Sequence, residues 1–333
     1  MPFRRRITVS LATALVALLV ACNTSSPEVH KRGPIRLGSY AWAGNYWIEV
    51  AWQKGWFAAA GLDVERVDMN MKYFESLDRL TAGKLDMVAF TQFDLVRYVA
   101  AGHDLVGVAA TDYSDGAEAL VARPGINAAR ELRGKRVALH RGSYLEYLLD
   151  VFAEREGLHL DELTLVDTLD DAAAGPDLQA GKIDAAFLWE PYLTEAQQSV
   201  GGTRLFSTAE LPGLTYSVLT LRRDFLRERP DDVAALLRVW ERAVRFIREH
   251  PDETCEIVAS LYQVPLENVR ALLRSDRILD LADNSRAFSY GAGFESLHAS
   301  WRRMNDFMIE RGLVTRRVDS PDHLDSRFIH ALD

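Results

Sequence analysis

The chain has 333 residues, with 48 acidic against 39 basic side chains and a formal charge of −9. That sign is a poor match for nucleic acid, whose phosphates require a basic face. Two cysteines are too few for a disulfide framework, and the length is enough for two lobes rather than one small core.

Residues 1–21 read as a lipoprotein signal peptide. Arg4–Arg6 is a basic start, and Ile7–Val20 is an apolar stretch too short to span a bilayer comfortably. It ends in Leu19-Val20-Ala21-Cys22, which resembles the lipobox of bacterial lipoproteins, where the cysteine thiol receives the lipid. The alternative is an ordinary secretory signal with an incidental cysteine. On the lipobox reading Cys22 is the mature N-terminus, and the protein is held at the periplasmic face or cell surface. Losing three arginines and no acid takes the charge to −12. Asn23 is not the aspartate that resembles an inner-membrane retention signal, which leaves inner against outer membrane open. Cys255 then remains as the lone thiol, on a helical stretch where a packed, inert state is expected. Residues 22–34 form a polar tether, able to reach roughly 40 Å when extended.

In the first lobe Ile35–Leu37 is a short strand running into Gly38, and a helix is expected from about Asn45 to Ala60, closed by Gly61. Asp63–Asp68 alternates as a strand, Phe74–Thr81 is a helix, and Leu85–Phe90 is a strand. The second lobe repeats that order. Arg136–His140 is a strand, Ser143–Glu156 a helix closed by Gly157, Leu163–Val166 a strand, Ala172–Ala180 a helix and Ile183–Leu188 a strand. Ala117–Ala122 is expected to pass between lobes, and Pro212-Gly213 with Tyr216–Leu221 to return. Pro230 and Pro251, each followed by acids, open two C-terminal helices expected to pack on the first lobe. The divisions are 35–122, 123–214 and 215–333.

The repetition is visible residue by residue. Ala82-Gly83-Lys84-Leu85-Asp86-Met87-Val88-Ala89-Phe90 returns as Ala180-Gly181-Lys182-Ile183-Asp184-Ala185-Ala186-Phe187-Leu188, and Gly38-Ser39-Tyr40 as Gly142-Ser143-Tyr144. Strands alternating with helices predict an α/β fold with parallel-rich sheets flanked by helices. Two such lobes leave a cleft between them, where a small solute is usually held.

Ligands of parallel sheets sit beyond the carboxyl ends of the strands, which selects the candidate residues. After the first strand come Tyr40, Trp42, Asn45 and Tyr46, in a loop and helix about eight residues longer than its second-lobe counterpart. Aromatic rings there can stack on a flat ligand or face a cation. Trp47 and Trp52 are read as core. In the second lobe Arg141, Ser143 and Tyr144 open a helix. Ser143 and Glu146 fit a capping box, and the helix start also offers N–H groups to an anion. Thr91 and Gln92 face Trp189 and Glu190 at matching strand ends. The stretch Asp112–Glu118, which includes Asp115 and Gly116, lies before the crossing and carries three acids, which are either solvated or turned to the cleft. One cation, Arg141, against several acids favours an aromatic or zwitterionic solute over a simple anion such as nitrate.

Several strings occur in a fixed order: Ala51-Trp52-Gln53-Lys54-Gly55-Trp56-Phe57, Leu80–Asp86, Asp112–Ala119, Leu132–Ala138 and Leu188-Trp189-Glu190-Pro191-Tyr192-Leu193. Together they resemble the SsuA/THI5-like (NMT1-like) family of periplasmic substrate-binding proteins, from about Ile35 to Leu226 and more loosely beyond. The resemblance implies the two-lobed type 2 periplasmic binding fold. It also implies a monomer that captures a small organic solute, a pyrimidine or other heterocycle or a sulfonate or taurine-like compound, for the transmembrane subunits of an ABC permease. The cysteine-rich motif of the thiamine pyrimidine-precursor branch is missing.

Two other readings remain: a sensor subunit reporting to a membrane receptor, and a THI5-like pyrimidine-synthesising enzyme, for which a secreted lipoprotein is an odd home. No Walker-type phosphate loop or nucleophile elbow is present, and Gly291-Ala292-Gly293 lacks the preceding strand of a dinucleotide site. Glu295 and His298 make one half of a diiron pattern without the other. No enzyme activity, cofactor or metal is expected.

Overall fold

The computed structural model describes residues 33–168 and 170–332. The expected signal peptide, the expected anchor at Cys22 and nearly all of the expected tether lie outside the described residues.

In chain order the strands are β1 (Ile35–Ser39), β2 (Val64–Asp68), β3 (Met87–Thr91), β4 (Leu105–Ser114), β5 (Glu118–Ala122), β6 (Arg136–Leu139), β7 (Thr164–Asp167), β8 (Ala185–Trp189), β9 (Thr203–Ser207), β10 (Tyr216–Arg222) and β11 (Asp276–Ile278). They form one sheet in the order β11-β4-β10-β3-β1-β2 and another in the order β7-β6-β8-β5-β9. β1 pairs in parallel with β2 and β3, as β6 does with β7 and β8. β10 runs antiparallel between β3 and β4, as β5 runs antiparallel between β8 and β9. Each sheet is therefore parallel but for the strand that arrives from the other lobe, and for the short edge strand β11 in the first.

The repeated string builds the same clamp twice. Asp86, at the turn before β3, accepts from Arg36 on β1 at 2.6 Å, while Arg36 also donates to the Gly83 carbonyl at 2.6 Å. In the second lobe Arg136 donates to Asp184 at 3.1 Å and to the Gly181 carbonyl at 2.6 Å. Each incoming strand adds one more arginine: Arg222 at the end of β10 lies 3.3 Å from Asp86, and Arg123, just past β5, 3.0 Å from Asp184. Gly83 and Gly181 turn at φ +70° and +67°, a conformation that glycine adopts without strain. These groups sit at the amino ends of the strands, so their role is to lock strand order.

Helix 230–249 presents Val233, Leu236, Leu237, Trp240, Val244 and Ile247, all buried, and packs against helix 46–53 of the first lobe. On the opposite face helix 297–310 packs on helix 92–100. No helix among the described residues is long and apolar enough to cross a membrane.

Three expectations need correction. The helix expected over 45–60 is broken: it runs Tyr46–Gln53, turns at Gly55 with φ +67°, and resumes for Trp56–Ala59. Trp52 at the end of the first piece is 43 % exposed, so it is not core, whereas Trp47 is buried. The crossing strand lies wholly in the second sheet, so the passage between lobes is the short Asp115–Ala117 segment rather than Ala117–Ala122. β4 escapes the sequence patterning because its start, Leu105–Ala110, is buried on both faces and shows no alternation.

Candidate functional site

The parallel strands of both sheets point their carboxyl ends at one cavity of about 980 Å³. From the first lobe come Tyr40 after β1, Thr91 at the end of β3, and Asp112 and Ser114 at the end of β4; from the second come His140 after β6 and Trp189 at the end of β8. The reversed strands begin where the others end, so Ser217 of β10 and Glu118 of β5 reach the same space. The lobes touch beside it, where the Phe74 and His140 rings lie 4.7 Å apart.

The first-lobe wall is aromatic and tightly bonded. Trp42 donates its indole N–H to Asp112 Oδ2 at 2.9 Å, and Ser217 donates to the same oxygen at 3.1 Å. Thr111 donates to Asp112 Oδ1 at 2.7 Å. Tyr40 donates to the Ala89 carbonyl at 2.7 Å and meets Tyr73 edge-on at 5.8 Å. Tyr73 in turn donates to Asp94 at 2.7 Å, while Thr91 caps helix 92–100 by accepting from Asp94 N. Across the cavity Tyr144 lies parallel to Trp189 with ring centres 6.2 Å apart, and its hydroxyl donates to Glu118 Oε1 at 3.3 Å. Glu190 precedes a cis bond to Pro191 and accepts from the hydroxyl and N–H of Thr194, so it caps helix 192–200 from the cavity rim. Helix 266–274 supplies a further wall, with the Val269 carbonyl 3.4 Å from the Tyr46 hydroxyl.

The floor is a cluster of buried carboxyl groups. Asp276 pairs with Ser114 across β11 and β4, which puts its side chain on the same face as Asp112. Asp112, Asp276 and Glu118 are 1 %, 7 % and 2 % exposed. Burial, with the neighbouring Asp112 adding to it, pushes the Asp276 carboxyl well above the usual carboxylate range. Burial raises Asp112 too, against the opposing pull of its hydrogen bonds from Thr111 and Trp42. Glu118 is pushed up to about 7 by burial, with the nearby Ser114 hydroxyl pulling it back and Asp112 adding to the rise. On the opposite wall burial and Asp170 push Asp171 up to about 6. His140 is held below its ordinary value by burial.

Of the residues singled out from sequence, Tyr40, Trp42, Tyr46, Thr91, Tyr144, Trp189 and Glu190 line the cavity. The other six do not. Asn45 is buried behind the loop, and Gln92 is buried with its amide donating to the Leu297 carbonyl at 2.6 Å, because a helix starting at residue 92 turns it away from the strand end. Arg141 is exposed and Asp115 points to solvent. Gly116 belongs to the crossing, where its N–H donates to Thr208 at 3.0 Å. Ser143 caps its helix, accepting from Leu145 N at 3.2 Å and donating to the His140 carbonyl at 2.6 Å.

Sequence reasoning passed over Tyr73, His140 and Asp276, and took Asp112 and Glu118 only as acids of a loop. The alternation Asp112-x-Ser114 is the signal that would have placed Asp112 on a strand face. Asp276 carries no such signal, since only sheet pairing brings it there. His298 is occupied structurally, with one ring nitrogen 2.8 Å from Ser320 and the other 3.1 Å from the Phe288 carbonyl. Among the described residues no group of three side chains is placed to hold a metal ion.

The NMT1/THI5-like family model matches residues 46–254. A putative aliphatic sulfonates-binding protein of Bacillus subtilis (strain 168) is 25 % identical over 325 residues, covering 95 % of this chain and 93 % of that protein. The crystal structure of the periplasmic aliphatic sulphonate binding protein SsuA from Escherichia coli superposes with a TM-score of 0.74 at 19 % identity, over 89 % of this chain and 92 % of the other. The fold is thus that of the periplasmic binding proteins. The same architecture is found in the desulfurization enzyme DSZB, with a TM-score of 0.63 at 15 % identity over 90 % of this chain and 98 % of that one.

Proposed function

The chain belongs to the NMT1/THI5-like family, and on that premise we propose that it is the solute-binding component of an ABC importer. It is a monomer anchored outside the cytoplasm by a lipid on Cys22, and it captures a small organic solute by closing its lobes. The observation that carries this reading is the cavity faced by strand ends from both lobes, since a ligand touching both sides favours the closed state over the open one. The two crossings are suited to act as the hinge. Ser114 N–H donates to the Thr215 carbonyl at 3.2 Å, and the Ser114 and Thr208 hydroxyls are 2.6 Å apart, so the two connections run side by side. Gly116 and Gly213 bend there at φ +113° and +79°. Capture rather than catalysis is supported by the full-length relative, which is named as a binding protein.

The aromatic walls suit a flat heterocycle, and the relatives are named for sulfonates. The test is a thermal-shift screen of residues 23–333 against sulfonates, nitrate, pyrimidines, flavins and amines. A ligand present well above its dissociation constant raises the melting temperature, about 2.7 kcal/mol of stabilisation at a hundredfold excess. A screen in which no class shifts the transition counts against solute capture.

A further inference from the structure

The geometry points to an organic cation, bearing N–H donors on a flat or short body, as the solute held between Glu118, Asp112 and the Tyr144–Trp189 wall, and not to a sulfonate. This rests on the solute-binding reading and narrows its ligand. The cavity is lined by Asp112, Glu118, Asp170, Asp171, Glu190 and Glu195. Among the described residues the lone arginine or lysine on its wall is Arg274, already paired at 2.8 Å with Glu267 of the same helix. Arg141, which would have supplied a cation from the second lobe, is turned to solvent.

A sulfonate brings three acceptor oxygens and a fixed negative charge, and needs cationic or N–H donors to replace its water. The floor offers the reverse. Glu118 is 2 % exposed, and its Oε2 completes no hydrogen bond. Leaving buried carboxyl oxygens unpaired is costly, and a bound N–H donor removes that cost. Asp171 repeats the situation on the far wall, with Oδ1 buried and unbonded. The donors that do reach the floor, from Trp42, Thr111, Ser217 and Tyr144, orient its carboxyls without neutralising them. The neighbouring ring faces of Tyr144 and Trp189 add the attraction of aromatic faces for positive charge.

The experiment compares probes that share a body and differ in charge: benzamidinium and benzylammonium against benzoate and benzenesulfonate, titrated calorimetrically into the wild-type chain at pH 7.5. The cation of each pair is expected to bind at least tenfold more tightly than its anion. Glu118→Gln and, separately, Asp112→Asn are expected to weaken the cations at least threefold. An anion that binds as well as its cationic partner overturns the assignment, as does cation affinity unchanged in both variants or an absence of binding by all four probes. In the last case a sulfonate, pyrimidine or flavin that stabilises the protein in the wider screen leaves solute capture standing, whereas a blank screen removes both.

Discussion

The indole N–H of Trp42 and the carboxylate of Asp112 lie 2.9 Å apart, joining the aromatic loop after the first strand to the end of the fourth. That bond makes the loop part of the floor. Replacing Trp42 by Phe keeps a ring but removes a donor from a buried carboxylate, which leaves Asp112 with Thr111 and Ser217. The variant is expected to lose about 1–3 kcal/mol of stability. Urea unfolding measures it, and an unchanged midpoint would show that the bond contributes nothing.

Gly44 passes so close to that carboxylate that a Cβ would sit 1.7 Å from Asp112 Oδ1. Gly44→Ala must displace either the loop or the floor. A stability loss of about 1–3 kcal/mol is expected from the overpacking, with ligand affinity reduced at least tenfold. Wild-type affinity in a stably folded Gly44→Ala protein would contradict the geometry.

The duplicated clamps predict paired behaviour. Burial works against ionising Asp86 and Asp184, but hydrogen bonds from Arg36 and Arg136 more than offset it and hold both carboxyls below their ordinary range. A depressed carboxylate contributes stability above its unfolded pKa, and that contribution is lost as pH falls through the folded value. Asp86→Asn and Asp184→Asn should each cost about 1–3 kcal/mol at neutral pH, converge on wild type in acid, and leave ligand affinity within twofold. Denaturation curves at pH 7 and pH 3, with one binding titration, decide it.

Glu118 predicts the opposite pH trend. Its folded pKa of about 7 exceeds the ordinary carboxylate value, so between about pH 4.5 and 7 the native state holds a proton that the unfolded chain has released. Stability from this group is complete below the unfolded pKa and falls as pH rises through about 7, by about 1.4 kcal/mol per pH unit in that window. The groups facing Glu118 are Asp112, the Ser114 hydroxyl and Tyr144, and none is a cation. Ligand-free Glu118→Gln should show a flatter profile across pH 5–7 than wild type; parallel profiles would count against a buried, protonated Glu118.

The anchor is tested independently of the cleft. Cys22→Ser should abolish incorporation of labelled fatty acid in a bacterial host, leaving soluble protein with unaltered ligand binding. Continued labelling would locate the lipid elsewhere or remove the lipobox reading.

Much of the scaffold was legible because it is local. Glycine-closed helices, alternating strands and the Ala-Gly-Lys-x-Asp string are read within a dozen residues, and the string's second copy was enough to imply two lobes. Counting from that string also put Thr91, Trp189 and Glu190 on the cavity, since a parallel strand leads its carboxyl end there. What the sequence determined alone was thus the two-lobed plan, the family resemblance and the position of strand ends. Side-chain direction past those ends was not legible, because a helix starting one residue earlier or later turns Gln92 into the core and Arg141 into solvent. The charge of the site depended on tertiary structure altogether. Asp112, Glu118 and Asp276 become one floor only when β11 pairs with β4 and the chain crosses between sheets, and their proton affinities follow from burial that no residue-by-residue pattern records.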